Sequence, residues 1–164
     1  MKKLYIDFDG VIMNTIEITY NEMVKLNIDL TDQESIRNYY KNLDWFVLIN
    51  KSKIINDGIE CIKKIIETNE YEVSILSHVT SLEEAEAKIN FIRKNIKNLN
   101  FISVPRILSK TDVVDAKNNI LIDDFATNLE EWKKCGGLGI RFNSELKGKG
   151  FKVINRLDQI LGEN

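Results

Sequence analysis

Asp7 and Asp9 stand one residue apart in the run Leu4-Tyr5-Ile6-Asp7-Phe8-Asp9-Gly10-Val11-Ile12, at the end of an apolar stretch and immediately before a glycine. Aspartate is among the poorest strand residues and a buried charge is costly, so stability alone does not select this pair. On an extended chain residues two apart face the same way, which brings two like charges together. Such a pair persists when one group takes a proton or a cation lies between them, the usual arrangement for metal-assisted phosphoryl chemistry. Three further groups are placed alike: Ser77-His78 follows the apolar run 73–76, Asp123-Asp124 closes the run 120–122, and Lys110 lies in the connection before it.

These residues need a scaffold that gathers strand ends. Short apolar runs occur at Leu4–Phe8, Val73–Leu76, Phe101–Val104, Ile120–Ile122, Leu138–Phe142 and, weakly, Val153-Ile154, with helical patterns between them. Ile59, Ile62, Ile65 and Ile66 share one helix face, and Leu82, Ala85, Ile89, Ile92 and Ile96 follow a three-four spacing after a capping box at Ser81 and Glu84. Another box, Thr127 with Glu130, opens a helix that carries Leu129 and Trp132 and ends at Gly136-Gly137. Strands alternating with helices predict an α/β fold: a doubly wound, mostly parallel sheet in a three-layer αβα sandwich. In such sheets ligands bind beyond the carboxyl ends of the strands, where every group named above falls.

The alternation fails once. Asn14 to Asp57 separates the first strand from the next sheet-facing helix, far more chain than an ordinary βα loop. Ile16 to Leu26 has helical periodicity, and Thr31 with Glu34 forms a further capping box before Ile36 and Tyr39-Tyr40. The expected organisation is a core of residues 1–13 and 58–164 with a small helical cap, 14–57, inserted after strand 1. Tyr39, Tyr40, Trp45 and Phe46 concentrate aromatics in that cap, either as its own core and seam or as a surface on which a base stacks.

Composition narrows the partners. The chain has 164 residues, enough for one domain, with 23 basic against 25 acidic side chains. The charges are interspersed, so no basic stripe announces a long nucleic acid. Cys61 and Cys135 lack Cys-x-x-Cys spacing and are expected as reduced core residues on helices. No apolar stretch approaches a membrane span, and the expected setting is cytoplasmic. Lys147 to Gly150 reads as a solvated turn.

The four elements together, Asp7-x-Asp9, Ser77, Lys110 and Asp123-Asp124 in that order, resemble the haloacid dehalogenase (HAD) superfamily of phosphohydrolases. Asp7-Phe8-Asp9-Gly10-Val11, Lys110-Thr111-Asp112 and Leu121-Ile122-Asp123-Asp124 with Asn128 and Trp132 are similar to its deoxyribonucleotidase branch, which acts on nucleoside monophosphates; Asn14 departs from it, an aspartate being usual there. The resemblance implies Asp7 as nucleophile, forming an aspartyl-phosphate, and Asp9 as general acid and base. It implies Mg2+ held by the Asp7 carboxylate, the Asp9 carbonyl and the Asp123 carboxylate, with Asp124 acting directly or through water. Ser77 and Lys110 would hold and neutralise the phosphoryl group, with Trp45 and Phe46 as further substrate contacts. By position, His78 either faces the leaving group or fills its loop, and Asn128 either bonds Asp124 or the phosphate shell or is first-turn helix polarity. Gly10 would let the backbone turn sharply beside the metal.

The expected activity is therefore magnesium-dependent hydrolysis of a small phosphomonoester, a nucleoside monophosphate first and a phosphosugar as the alternative. A phospho-acceptor switch uses a similar acidic pocket, but there the acidic pair ends the first strand and the phosphorylated aspartate a later one. A silent binding module would have no reason to keep costly buried charge.

Overall fold

β-branched and apolar runs become six strands: β1 (Lys2–Ile6), β2 (Tyr71–Val79), β3 (Asn100–Pro105), β4 (Ile120–Asp123), β5 (Leu138–Phe142) and β6 (Lys152–Ile154). The structure, a computed structural model, describes residues 1–142 and 148–162; Lys147, in the expected turn, lies outside them. The strands form one parallel sheet in the order β3-β2-β1-β4-β5-β6. The chain therefore starts in the middle and winds outward both ways. Neighbouring strands β1 and β4 continue to opposite sides, and the crevice beyond their carboxyl ends is where this topology places a ligand.

Side-chain alternation builds the two faces. Leu4, Ile6, Ile75, Ile120 and Ile122 pack with Ile59, Ile62 and Ile65 of helix α4 (Gly58–Glu67) and Ile92 of helix α5 (Leu82–Asn95). Tyr5, Leu76 and Leu121 face the other way, onto Leu129 and Trp132 of helix α7 (Ala126–Lys134). The Trp132 ring meets Tyr5 edge-on, with centroids 5.4 Å apart. Each buried aliphatic side chain contributes roughly 1.5–3 kcal/mol, so both layers are held firmly to the sheet that carries the site.

The segment between β1 and α4 contains three helices: α1 (Thr15–Lys25), α2 (Gln33–Lys41) and α3 (Trp45–Lys51). Its two ends are clamped together. Asn14 N donates to the Lys53 carbonyl at 3.0 Å, Lys53 N to Asn14 Oδ1 at 2.7 Å, and Ile55 N to the Ile12 carbonyl at 2.8 Å. The Asn14 amide thus has a job in this stem.

Several local expectations shift. β1 ends at Ile6, so Asp7 to Asp9 lie beyond the ladder, although Asp7 N still donates to the Ile122 carbonyl at 2.9 Å. Helix α2 is capped by Asp32, whose carboxylate accepts from Glu34 N, while Thr31 bonds back to Asp29. Helix α7 begins at Ala126 after Phe125, which puts Thr127 inside it rather than at its cap. Cys61 is buried as expected, but Cys135 follows the last turn of α7 and is exposed. Leu82 is 90% exposed, and the buried side of α5 includes Glu84 and Lys88 in its place.

Candidate active site

Beyond β1 the chain turns at Gly10, whose φ of +75° suits glycine. A Cβ there would lie 2.3 Å from Asp124 Oδ2, so the bare backbone is what lets the Asp7–Gly10 loop and the β4 end close on each other. Asp7, Asp9, Asp123 and Asp124 all line one cavity of about 540 Å³, together with His78 and Asn128. The four strand-end carboxylates converge as their positions in the sequence predict.

Lys110 is the first residue of a short helix, α6 (Lys110–Val113), fixed by Asp112 Oδ2 accepting from Ser109 N at 2.8 Å. This aims the buried ammonium between two carboxylates: it donates to Asp7 Oδ1 at 2.7 Å and to Asp123 Oδ2 at 2.6 Å. Burial opposes the charge, but Asp123 and Asp7 outweigh it and hold Lys110 above its ordinary range. Asp123 also accepts from Phe125 N and Asn128 Nδ2, both at 2.9 Å. Asn128 thus orients Asp123, rather than Asp124.

Asp7, Asp123 and Asp124 each offer a carboxylate oxygen within 4.8 Å of the others. Burial, then repulsion from Asp123 and Asp9 against the pull of Lys110, raises Asp7 to about 7. Burial with the charges of Asp7 and Asp123 raises Asp124 to about 8. The cluster is short of positive charge, and its all-oxygen donor set fits a hard divalent cation.

Asp9 faces a different cation. Its Oδ1 accepts from Thr15 Oγ1 at 2.7 Å and its Oδ2 from Lys88 Nζ at 2.5 Å. Ser77 is fully buried; its hydroxyl accepts from Lys88 at 3.2 Å and donates to the His78 carbonyl at 3.3 Å. His78 Nε2 donates to the Leu108 carbonyl at 2.9 Å, and burial above all holds its pKa below the ordinary imidazole value. Trp45 is buried, roughly parallel to Tyr40 and 4.9 Å from the Lys88 ammonium, so it forms the seam between α3 and α5. Phe46 is exposed and lines neither this cavity nor the adjoining one, a position that does not serve the expected base contact.

Sequence reasoning missed Lys88, Thr15 and Phe125. A glutamate and lysine four apart on a helix give no local sign of burial, which here comes from the docking of α3, the Asp9 loop and the end of β2 around Lys88. Phe125, next to the acidic pair, is 59% exposed at the cavity mouth with Ile16 and Ile107. An aromatic beside two aspartates was the available signal.

No family model matches the chain, and none of the curated proteins matches it significantly. Among solved structures it is similar to a HAD hydrolase, family IA, variant 3, from Entamoeba histolytica HM-1:IMSS, with a TM-score of 0.66 and 15% identity over 99% of this chain and 96% of that one. It is similar to the HAD-hydrolase YfnB from Bacillus subtilis, solved bound to magnesium, with a TM-score of 0.65 and 10% identity over 97% and 96% of the two chains. A hydrolase from Pseudomonas syringae aligns with a TM-score of 0.63 and 13% identity over 98% and 96%. At these identities the likeness establishes architecture: the chain has the α/β fold of HAD-superfamily hydrolase structures.

Proposed function

We propose that this chain is a magnesium-dependent phosphomonoesterase of the HAD superfamily, acting on a small phosphorylated metabolite, with a nucleoside monophosphate as the preferred class. The observation that carries the reading is the bridging of Asp7 and Asp123 by Lys110 at the switch point of the sheet, with Asp124 beside them. Asp7, Asp123 and Asp124 would hold the cation, joined by the Asp9 carbonyl. Mg2+ supplies the positive charge that lets a carboxylate approach a phosphate dianion.

The chain's own residues do the rest. Asp7 keeps one oxygen on Lys110 and presents the other, which takes no hydrogen bond among the described residues, to phosphorus. A bond forms from that oxygen as the ester oxygen leaves and takes a proton from Asp9. Asp9 then accepts a proton from water, which attacks phosphorus, releases inorganic phosphate and restores Asp7. Lys110 neutralises charge on Asp7 and the transferring group throughout. Helices α1–α3 serve as the cap that limits water.

The cavity mouth supports a leaving group with an apolar face. Ile107 is 93% exposed and Phe125 59%, a pairing that a stacked base would cover. A second cavity of about 650 Å³, sharing Asp9, Ile16, His78 and Arg106 with the first, favours the phosphosugar alternative. Arg37, Lys41 and Arg106 line it, and among the described residues their side chains form no hydrogen bond or ion pair.

The test is phosphate release from ribo- and deoxyribonucleoside monophosphates, phosphosugars and an aryl phosphate, with and without Mg2+, using Asp7→Asn as control. Mg2+-dependent and Asp7-dependent turnover is expected, with a nucleotide preferred. Turnover in Asp7→Asn equal to the parent would overturn the nucleophile, and preference for phosphosugars would transfer the substrate to the second cavity.

A further inference from the structure

The Lys88 ammonium is enclosed. It donates to Asp9 Oδ2 at 2.5 Å, Glu84 Oε1 at 2.6 Å, the His78 carbonyl at 3.1 Å and Ser77 Oγ at 3.2 Å, and its side chain is wholly buried. The rings of Phe8 and Trp45 close the remaining sides, 5.4 and 4.9 Å from the ammonium to their centroids. Glu84 is itself fixed, because Oε2 accepts from Thr80 N at 2.7 Å and from Thr80 Oγ1 at 2.6 Å. The lysine has no room to swing away. A buried ion pair is poor value as stabilisation, because desolvating both charges offsets most of their attraction. This one ends on a carboxylate that lines both cavities.

We infer that Lys88 is a positioning residue for proton transfer: with Thr15 it locks the Asp9 carboxylate so that Oδ1 is the oxygen that exchanges a proton with the leaving group. The inference rests on the phosphomonoesterase reading above. An ammonium only donates, so Oδ2 keeps a permanent donor on it, whereas the Thr15 hydroxyl on Oδ1 can donate or accept and so tolerates a proton there. The same ammonium reaches Ser77 Oγ, tying the acid to the loop after β2. A general acid works only within about 2.6–3.2 Å of the atom it protonates, so a carboxylate free to rotate would lose that function.

The test uses leaving groups of graded acidity. A dinitrophenolate departs without a proton, whereas an alkoxide or nucleoside oxygen needs one. In the double variant Lys88→Met/Glu84→Gln, which removes both buried charges at similar volume, kcat on an alkyl phosphate should fall on the order of 100-fold. On dinitrophenyl phosphate it should fall less than about 10-fold, with KM little changed on either. Asp9→Asn should show the same dependence on the leaving group. An equal loss on every leaving group, or no loss on any, overturns the inference. If the double variant does not melt cooperatively, Lys88→Arg decides, since it keeps the charge opposite Glu84 but replaces the compact ammonium with a planar fork. It must show the same graded loss. Asp7→Asn run alongside separates the two claims: full activity there defeats the phosphomonoesterase reading itself.

Discussion

Replacing Gly10 with alanine perturbs the site without removing any functional group. The residue sits at φ +75°, where an L-residue pays roughly 1–2 kcal/mol. Its new Cβ would lie 2.3 Å from Asp124 Oδ2, and ordinary contact begins at 3.4 Å, so the carboxylate must retreat by the difference, 1.1 Å. Magnesium demands near-ideal octahedral geometry with oxygens at about 2.0–2.1 Å, which a shift of that size disrupts. Displacing a group that orients or supplies a metal ligand typically costs about 10–100-fold in affinity. Gly136→Ala is the matched control: φ is +83° there, but the nearest atom to its Cβ is Lys117 Cγ at 3.6 Å. A thermal-shift titration with Mg2+ reads both effects. Each variant should melt roughly 2–8 °C lower, at about 2–4 °C per kcal/mol for a chain of this size. Only Gly10→Ala should raise the Mg2+ midpoint and reduce phosphate release in step with it. A Gly10→Ala protein with the parent's Mg2+ midpoint would refute the placement of Asp124 in the metal site.

Lys110→Met leaves Asp7 and Asp123 facing each other without their shared cation; urea unfolding in chelator should show a loss of about 3–5 kcal/mol, and an unchanged midpoint would contradict the pairing. Asp7 is raised from 3.8 to about 7 and Asp124 from 3.8 to about 8, so the folded state holds protons that the unfolded state has released. In chelator, their contribution to stability is fully present below about pH 4 and is lost as pH rises through 7 to 8. Mg2+ competes with those protons, so the melting-temperature gain it brings should grow across the same window; a gain independent of pH would contradict the assignment. Phe125→Ala should raise KM for a nucleoside monophosphate by about 5–150-fold, as expected for losing a stack worth about 1–3 kcal/mol, with kcat nearly unchanged, and an unaltered KM would remove Phe125 from the substrate site.

What was legible in the sequence follows a physical divide. The runs around Ile6, Ile75 and Ile122 are short, apolar and alternate with helical patterns, which identifies them as strands, and the carboxylates at their ends are out of place for stability, so the site shows locally. The stripe Ile59, Ile62, Ile65 likewise identifies α4 by itself. Caps slipped because Asp32 next to Thr31, and Phe125 ahead of Thr127, compete for a position that tertiary contacts decide. Lys88 was missed, and Trp45 left open between seam and base contact, for a deeper reason. Their burial depends on α3 meeting α5 across the inserted segment, a contact between parts of the chain that local periodicity does not describe.

The most direct test of the central claim is to look for phosphate on Asp7. Protein mixed with a turned-over phosphomonoester and Mg2+, quenched in acid and digested, should carry an acyl phosphate on the peptide containing residue 7, reducible by borohydride and missing in Asp7→Asn. Steady phosphate release with residue 7 unmodified, or with the label on Asp9 or Asp123 instead, would contradict the account.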